Sequence, residues 1–144
     1  MKEGEFKFEN REMTNSEYKK MMRGFNTHSR EFGNEPFKQK RISVIISKDG
    51  EFIGSASGLT NENKKWFFIT DLFVDKKFRK YGLGVEVLKR LENRAKNVGV
   101  KQIWTWTAGY EAPGFYKKQG YKIFYEMEKY FDSGHGRVGL IKKI

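Results

Sequence analysis

The segment from Trp66 to Asn97 joins an apolar strand to an amphipathic helix through a short basic loop, and it constrains the fold more than any other part of the chain. Its first part, Trp66–Val74 (WFFITDLFV), is almost entirely apolar or aromatic, which predicts a central strand that is buried on both faces. Its last part, Leu83–Asn97, repeats apolar residues at helical spacing, and Gly99 suits the helix stop. A strand that runs into such a helix is typical of α/β proteins.

Further strands and helices are predicted on both sides of this segment. Thr14 and Glu17 form a capping box that opens a helix at 15–31, and Asp49-Gly50 is a hairpin turn. The other predicted elements are strands at Phe6–Phe8, Arg41–Lys48, Glu51–Thr60, Lys101–Thr107, Tyr121–Met127 and Gly136–Ile144, and a short helix at Glu111–Gln119. Hairpins combined with one strand–helix–strand crossover predict an α/β fold with a mixed sheet.

The composition excludes several classes of protein. The chain has no cysteine, which excludes disulfides, a thiolate nucleophile and cysteine-based metal centres. Two histidines disfavour a multi-histidine site, so we expect no metal. The N-terminus is charged, and no apolar run reaches the ~18 residues that a membrane span needs. We therefore expect a soluble cytoplasmic protein that has no membrane partner.

The charge of the chain is strongly basic. It has 29 Lys and Arg against 18 Asp and Glu, a formal net charge of +11. A nucleic-acid binder usually gathers such charge on one face or in one tail, whereas here the basic residues are spread along the sequence. This favours a solvated basic surface, with attraction of an acidic or phosphorylated ligand as the second interpretation.

The loop before the strongest helix has the composition of an anion site. Gly82 and Gly84 stand where a helix N-terminus presents unpaired N–H groups, and glycine lets a phosphate approach the backbone. Four basic residues lie in the same loop: Lys76, Lys77, Arg79 and Lys80. Neither complete phosphate fingerprint fits, because position 87 is valine and the Gly-x-x-x-x-Gly-Lys-Ser/Thr pattern is absent. The loop thus predicts a polyphosphate ligand without naming it.

The loop and its flanking segments resemble the conserved motifs of a known protein family. Arg79–Gly84 (RKYGLG) matches the Arg/Gln-x-x-Gly-x-Gly/Ala signature of the GNAT superfamily of acetyl-CoA-dependent N-acyltransferases. Ile69–Val74 resembles the family's fourth strand, and Ala112–Tyr121 (APGFYKKQGY) resembles its second motif. The resemblance covers about residues 41–127. It implies one GNAT-like domain over residues 1–144, with a mixed, mostly antiparallel central sheet flanked by helices and with splayed central strands.

The resemblance also implies where acetyl-CoA, the co-substrate, binds. In the family the CoA pyrophosphate lies on backbone amides of the signature loop, and the pantetheine arm bonds the main chain of the preceding strand. The matching residues are Arg79, Lys80, Tyr81, Gly82, Leu83 and Gly84 for the pyrophosphate, and Leu72, Phe73 and Val74 for the arm. That strand must diverge from its neighbour to leave amides free, and the free amide near Phe73 or Val74 would polarise the thioester carbonyl.

Tyr116 matches the family tyrosine that protonates the departing CoA thiolate. The alternative is an ordinary core aromatic beside Phe115. One departure from the family pattern precedes it. Relatives often carry an Asn there that contacts the CoA arm, whereas this chain has Thr107-Ala108-Gly109-Tyr110. Thr107 or a main-chain group would then take that contact.

The amine acceptor must also lose a proton, and Asp71 is the leading candidate for the base. It is a charge inside an apolar strand, where burial without a partner is costly. Its alternative role is a structural hydrogen bond to a turn or to Thr105. Glu111 is the second candidate, although helix N-capping is favoured for it. Trp104 and Trp106 lie on one strand face, either as a wall beside the acyl or acceptor groove or as core packing against a helix.

Together these features predict an N-acetyltransferase that moves the acetyl group from acetyl-CoA directly to a primary amine of a small molecule or protein. Direct transfer follows because no cysteine or activated serine suggests a covalent intermediate. A catalytically inactive, CoA-binding regulatory module is the alternative, and a basic nucleic-acid binder is less favoured. The sequence does not identify the amine, and it leaves a homodimer open.

Overall fold

A six-stranded sheet forms the centre of the fold in the computed structural model, which describes residues 6–35, 39–61, 63–109 and 111–144. The strands are β1 (Arg41–Lys48), β2 (Glu51–Thr60), β3 (Trp66–Val74), β4 (Gln102–Ala108), β5 (Lys122–Met127) and β6 (Arg137–Lys143). Their order is β1-β2-β3-β4-β6-β5, and β3 and β4 form the parallel pair among antiparallel neighbours. This confirms the predicted mixed, mostly antiparallel sheet.

Two helices follow the central strands and supply the core. Helix α1 (Asn15–Glu31) precedes the strands, α2 (Leu83–Asn97) connects β3 to β4, and α3 (Pro113–Lys118) follows β4. The buried side chains of α2 are Val87, Leu88, Leu91 and Ala95, and they share one core with Phe67, Ile69, Ile103 and Leu140 of the sheet. The predicted bounds of β1, β2, β3 and α2 are confirmed, and the later elements agree within a residue or two.

Strand β3 is buried on one face only, so the prediction of burial on both faces is wrong. Phe67 and Ile69 are fully buried on the face that packs against α2. Trp66 and Phe73 are 38% and 46% exposed. Because α2 and its core lie on one side of the sheet, side chains that point to the other side keep contact with solvent.

The two central strands diverge after a short paired stretch. β3 and β4 pair at Trp66–Gln102, Phe67–Ile103 and Phe68–Trp104, and their pairing ends there. The Thr105 hydroxyl donates to the Ile69 carbonyl at 3.0 Å, which bridges the strands where the ladder stops. The predicted splayed central strands are therefore confirmed, and the gap between them opens towards the carboxyl end of β3.

The described residues before 36 form a separate compact unit. It contains helix α1 (Asn15–Glu31), whose capping box is as predicted. The Thr14 hydroxyl accepts the N–H of Glu17 at 3.2 Å, and the Glu17 carboxylate accepts the N–H of Thr14 at 2.8 Å. The predicted edge strand at Phe6–Phe8 is wrong, because no strand of the described sheet pairs with these residues. None of the helices in the described ranges has the length and apolar character to cross a lipid bilayer.

Candidate active site in the gap between the central strands

A cavity of about 740 Å³ lies where the end of β3, the following loop and the start of α2 meet. The residues predicted to bind CoA line it, with the exception of Tyr81: Leu72, Phe73, Val74, Arg79, Lys80, Gly82, Leu83 and Gly84. Tyr81 is 74% exposed and is not part of this lining. This first cavity thus combines a strand edge, a basic loop and a helix N-terminus.

The start of α2 is shaped to hold an anion. Gly82 precedes the helix in the left-handed conformation, with φ of +75°, and gives it no side-chain cap. The first bond of the helix runs from the N–H of Glu86 to the carbonyl of Gly82 at 3.1 Å. The N–H groups of Leu83, Gly84 and Val85 therefore have no acceptor within the helix, and the helix dipole adds positive potential there.

The basic loop divides into two parts. Arg79 and Lys80 line the first cavity, and the Arg79 Nε donates to the Val74 carbonyl at 3.0 Å. Lys76 and Lys77 belong to a short 3-10 turn, Lys76–Phe78, and are not part of that lining. Only half of the predicted basic cluster therefore faces the anion cradle.

The direction of the β3 amides follows from one hydrogen bond. The N–H of Asp75 donates to the carbonyl of Ile53 in β2 at 2.7 Å. In an antiparallel pair, alternate residues bond with the partner strand, so Phe73 bonds with β2 as Asp75 does. Leu72 and Val74 then direct their backbone groups into the gap. Of the two predicted oxyanion donors, Phe73 and Val74, geometry favours Val74.

A second cavity, of about 270 Å³, lies in the gap itself. Asp71, Trp106, Glu111 and Tyr116 are among its lining residues. Both cavities share a common border, made by Leu72, Glu111, Ala112 and Phe115. A long ligand in the first cavity can thus present its reactive end to a second molecule in the other.

Tyr116 is buried and is held in its protonated form. Burial raises the pKa of Tyr116 to about 12, the hydrogen bond with Thr105 opposes this rise, and the charges of Glu111 and Asp71 add to it. The Thr105 hydroxyl also donates to the Ile69 carbonyl at the end of the paired stretch of β3 and β4. The phenol therefore lies at the point where the strands separate, as a neutral acid at physiological pH.

This raised pKa predicts a loss of stability in alkali. Below about pH 10 the phenol is neutral in both states, whereas between about pH 10 and 12 it ionises only in the unfolded chain. The free energy of unfolding should fall by on the order of 2 kcal/mol over that interval from this group alone. Urea titrations from about pH 9 to 12 measure the slope of the free energy of unfolding against pH. The difference between the wild-type protein and Tyr116→Phe then gives the contribution of Tyr116, separate from that of the lysines, which titrate in the same pH range. Equal slopes in both proteins would contradict the assignment.

Asp71 is turned away from the core by a bulge in β3. The register shifts between Ser57 and Gly58 of β2, so that Asp71 faces Ser57 and Thr70 has no partner. The Asp71 carboxylate accepts hydrogen bonds from the Ser55 hydroxyl at 3.1 Å and the Thr70 hydroxyl at 2.9 Å. The alternative role for Asp71, a structural hydrogen bond, is therefore present with these two partners and not with Thr105, which donates to the Ile69 carbonyl. The bulge thus keeps this charge out of the core, and Asp71 lines the second cavity, half-buried.

Glu111 does not cap α3. Ala112 holds the N-cap position, without a side-chain hydrogen bond, so the predicted capping role is wrong. The Glu111 carboxylate instead accepts the Thr107 hydroxyl at 3.2 Å, and it borders both cavities. Thr107, which the sequence offered together with a main-chain group as the CoA contact in place of an asparagine, thus donates to Glu111 in this structure. Among the described residues, no cluster of three or more His, Asp or Glu is placed to hold a metal ion.

The two tryptophans of β4 have different surroundings. Trp104 stacks on Phe68 with ring centres 4.4 Å apart, on the sheet face opposite to the core. Trp106 lines the second cavity. This position agrees with the groove wall, which is one of the two roles that the sequence left open for it.

Several cavity residues were not foreseen. Phe78 and Val85 line the first cavity, and Phe115 and Ala112 border both. The family motifs specify glycines and a tyrosine, whereas no local sequence pattern marks these apolar residues as cavity lining. Thr105 was named only as a partner for Asp71, and its bond to Ile69 depends on where the two strands separate.

Comparison with known proteins supports one family. The acetyltransferase (GNAT) family model matches residues 9–121. Blasticidin-S acetyltransferase of Streptomyces morookaense is 35% identical over 78 residues, which cover 51% of this chain and 54% of that protein. The match thus spans about half the length of this curated relative.

Solved structures agree on the fold. An acetyltransferase from Bacillus cereus ATCC 14579 superposes with a TM-score of 0.84 at 22% identity, over 95% of this chain and 98% of the other. An aminoglycoside 6'-N-acetyltransferase complexed with coenzyme A gives a TM-score of 0.64 at 18% identity, over 90% and 81%. At these identities the likeness concerns the fold alone. Since the family model matches most of its length, this chain belongs to the acetyltransferase (GNAT) family.

Proposed function

We propose that this protein transfers an acetyl group from acetyl-CoA directly to a primary amine. The observation that carries the proposal is the common border of the two cavities. One contains a strand edge and an uncapped helix N-terminus that suit CoA, and the other contains a buried phenol and two carboxylates. Family membership supports acetyl-CoA as the co-substrate, as does the similar fold found in complex with coenzyme A.

Acetyl-CoA would lie along the first cavity in an extended form. The N–H groups at Leu83 and Gly84, with Arg79 and Lys80, would hold the pyrophosphate. The pantetheine amides would bond the free main-chain groups of β3. The Val74 amide would then donate to the thioester carbonyl and stabilise the negative charge that develops on its oxygen.

Two side chains of the second cavity would carry out the two proton transfers of the chemical step. The amine nitrogen attacks the thioester carbon, the carbon–sulfur bond breaks, and the departing thiolate takes a proton from Tyr116. Asp71 accepts the proton that the amine loses, directly or through water. Glu111 is a second candidate for this base, because its carboxylate borders both cavities.

The acceptor is a primary amine of a small molecule or protein. Although the net charge of +11 repels cationic amines, Asp71 and Glu111 make the second cavity locally acidic. Antibiotics that carry amines belong among the first compounds to test, because Blasticidin-S acetyltransferase is a relative. Cytoplasmic location and a homodimer stay predictions from the sequence.

A thiol-release assay with acetyl-CoA and a broad panel of amines tests the proposed function. We expect amine-dependent release of CoA together with an N-acetylated product. Tight binding of acetyl-CoA without turnover on any amine would instead favour an inactive CoA-binding module. Affinity for nucleic acid that falls steeply with salt and ignores CoA would favour the nucleic-acid binder.

The divided basic loop gives a matched pair of variants for CoA binding. The double substitution of both Arg79 and Lys80 by Met should raise the Kd for CoA about tenfold, because charge-assisted contacts to phosphate are lost. Replacing Lys76 and Lys77 together with Met removes the same charge outside the cavity and should change the Kd less than about twofold. Titration calorimetry measures both. Equal losses in the two double variants would mean that the loop acts only through general charge.

A further inference from the structure

Arg137, the first residue of β6, lies on a platform of three aromatic rings. Its guanidinium carbon is 4.1 Å from the centre of the Trp106 ring, 5.9 Å from that of Tyr125 and 5.7 Å from that of Tyr130. Its Nε donates to the Tyr125 hydroxyl at 3.0 Å, and a further hydrogen bond joins it to the Tyr130 phenol. These contacts fix the position of the guanidinium.

Gly139 makes room for this arrangement. Trp106 pairs with Gly139 across β4 and β6, and Tyr125 pairs with Gly139 across β5 and β6. A Cβ atom at position 139 would lie 2.0 Å from the nearest carbon of the Tyr125 ring. A larger residue would displace Tyr125, and with it the phenol that holds Arg137. The register of three strands therefore builds the platform.

No carboxylate of the residues that the structure describes forms an ion pair with Arg137. A guanidinium has five N–H donors, so two phenols leave donors for another acceptor. The planar fork of these donors matches a carboxylate. Trp106, on which Arg137 stacks, also lines the second cavity.

One ring, Trp106, thus both lines the second cavity and contacts Arg137, which is not itself part of that lining. Asp71 and Glu111 line the cavity and attract an ammonium group, whereas Arg137 stands against its Trp106 wall. We propose that the acceptor is a primary amine that also carries a carboxylate, and that Arg137 binds this carboxylate. The inference rests on the proposed function, because it names the class of acceptor for the same site.

Paired amines test the inference. Each pair consists of an ω-amino acid, or an amino acid, and its carboxamide, so that the two compounds differ in the negative charge alone. In at least one pair the wild-type enzyme should prefer the acid by about 10- to 100-fold in kcat/KM, and the difference should lie in the KM for the amine. Arg137→Met should abolish that preference while the kcat/KM for the carboxamide changes less than about threefold.

Two further variants control for folding and for general charge. Arg137→Lys keeps the charge without the fork and should retain part of the preference. Lys143→Gln removes an exposed charge from the far end of the same strand, roughly 20 Å away, and should leave the preference intact. A wild-type enzyme that acetylates neutral amines at least as well as their acids in all pairs would overturn the inference while leaving the proposed function standing. Absence of transfer to every amine would remove both.

Discussion

Replacing Tyr116 with Phe should lower kcat about 10²- to 10⁴-fold while the KM for acetyl-CoA changes less than about twofold. The phenol is buried at the separation of β3 and β4, and its raised pKa keeps it protonated at neutral pH. Removing only the hydroxyl deletes the proton donor for the thiolate and leaves the ring in place. The thiol-release assay measures the effect, and acetyl-CoA binding shows whether the first cavity is intact.

Tyr121 provides the matched control. It is also a buried tyrosine, with its ring centre 5.4 Å from that of Tyr116, and its hydroxyl donates to Glu92 at 2.8 Å. Burial, together with the charge of Glu92, raises its pKa well above the usual range. Tyr121→Phe should cost about 1–3 kcal/mol of stability but retain its kcat, because Glu92 lies away from both cavities. If Tyr116→Phe turns over at the wild-type rate, Tyr116 is an ordinary core aromatic.

Replacing Asp71 with Asn should lower kcat/KM about 10²- to 10⁴-fold at neutral pH. An alkylamine with a pKa of ~10.4 is almost entirely protonated there, so it depends on a base. Each rise of one pH unit makes about ten times more amine neutral, and the deficit of the variant should shrink in step. The measurement is the pH profile of kcat/KM for one acceptor in both proteins. A deficit that is constant with pH would indicate a positioning role for Asp71.

Glu111→Gln separates the two candidate bases. The amide can still accept the Thr107 hydroxyl, so the local structure should persist. If Asp71 is the base, Glu111→Gln should lower kcat/KM less than about tenfold, without recovery at high pH. The reverse pattern, in which Glu111→Gln carries the pH-dependent deficit and Asp71→Asn is mild, would reassign the base to Glu111.

Local patterns in the sequence predicted most of the fold. The β-branched residues of β1, the Asp49-Gly50 turn, the apolar stripe of α2 and the glycine after it are each recognised from a short stretch of sequence. The signature at Arg79–Gly84 and the second motif then predicted the divergence of β3 from β4, which no local rule gives.

Features that depend on distant partners were missed. The bulge opposite Ser57 and Gly58 decides which way Asp71 points, and it arises from the pairing of β2 with β3. The partner of Glu111 and the platform around Arg137 likewise depend on the loop after β4 and on the register of β6. The prediction of a strand at Phe6–Phe8 was wrong for the reverse reason: a local apolar pattern was present, but these residues have no partner strand in the described sheet.

Direct transfer between the two cavities is the central claim, and an acetyl balance tests it. The enzyme is mixed with acetyl-CoA that carries a labelled acetyl group, first without an amine and then with the best amine of the panel. We expect no label on the protein in the first mixture, and in the second a labelled N-acetyl product equal in amount to the CoA released. Label bound covalently to the protein, or CoA released without acetylated amine, would contradict it.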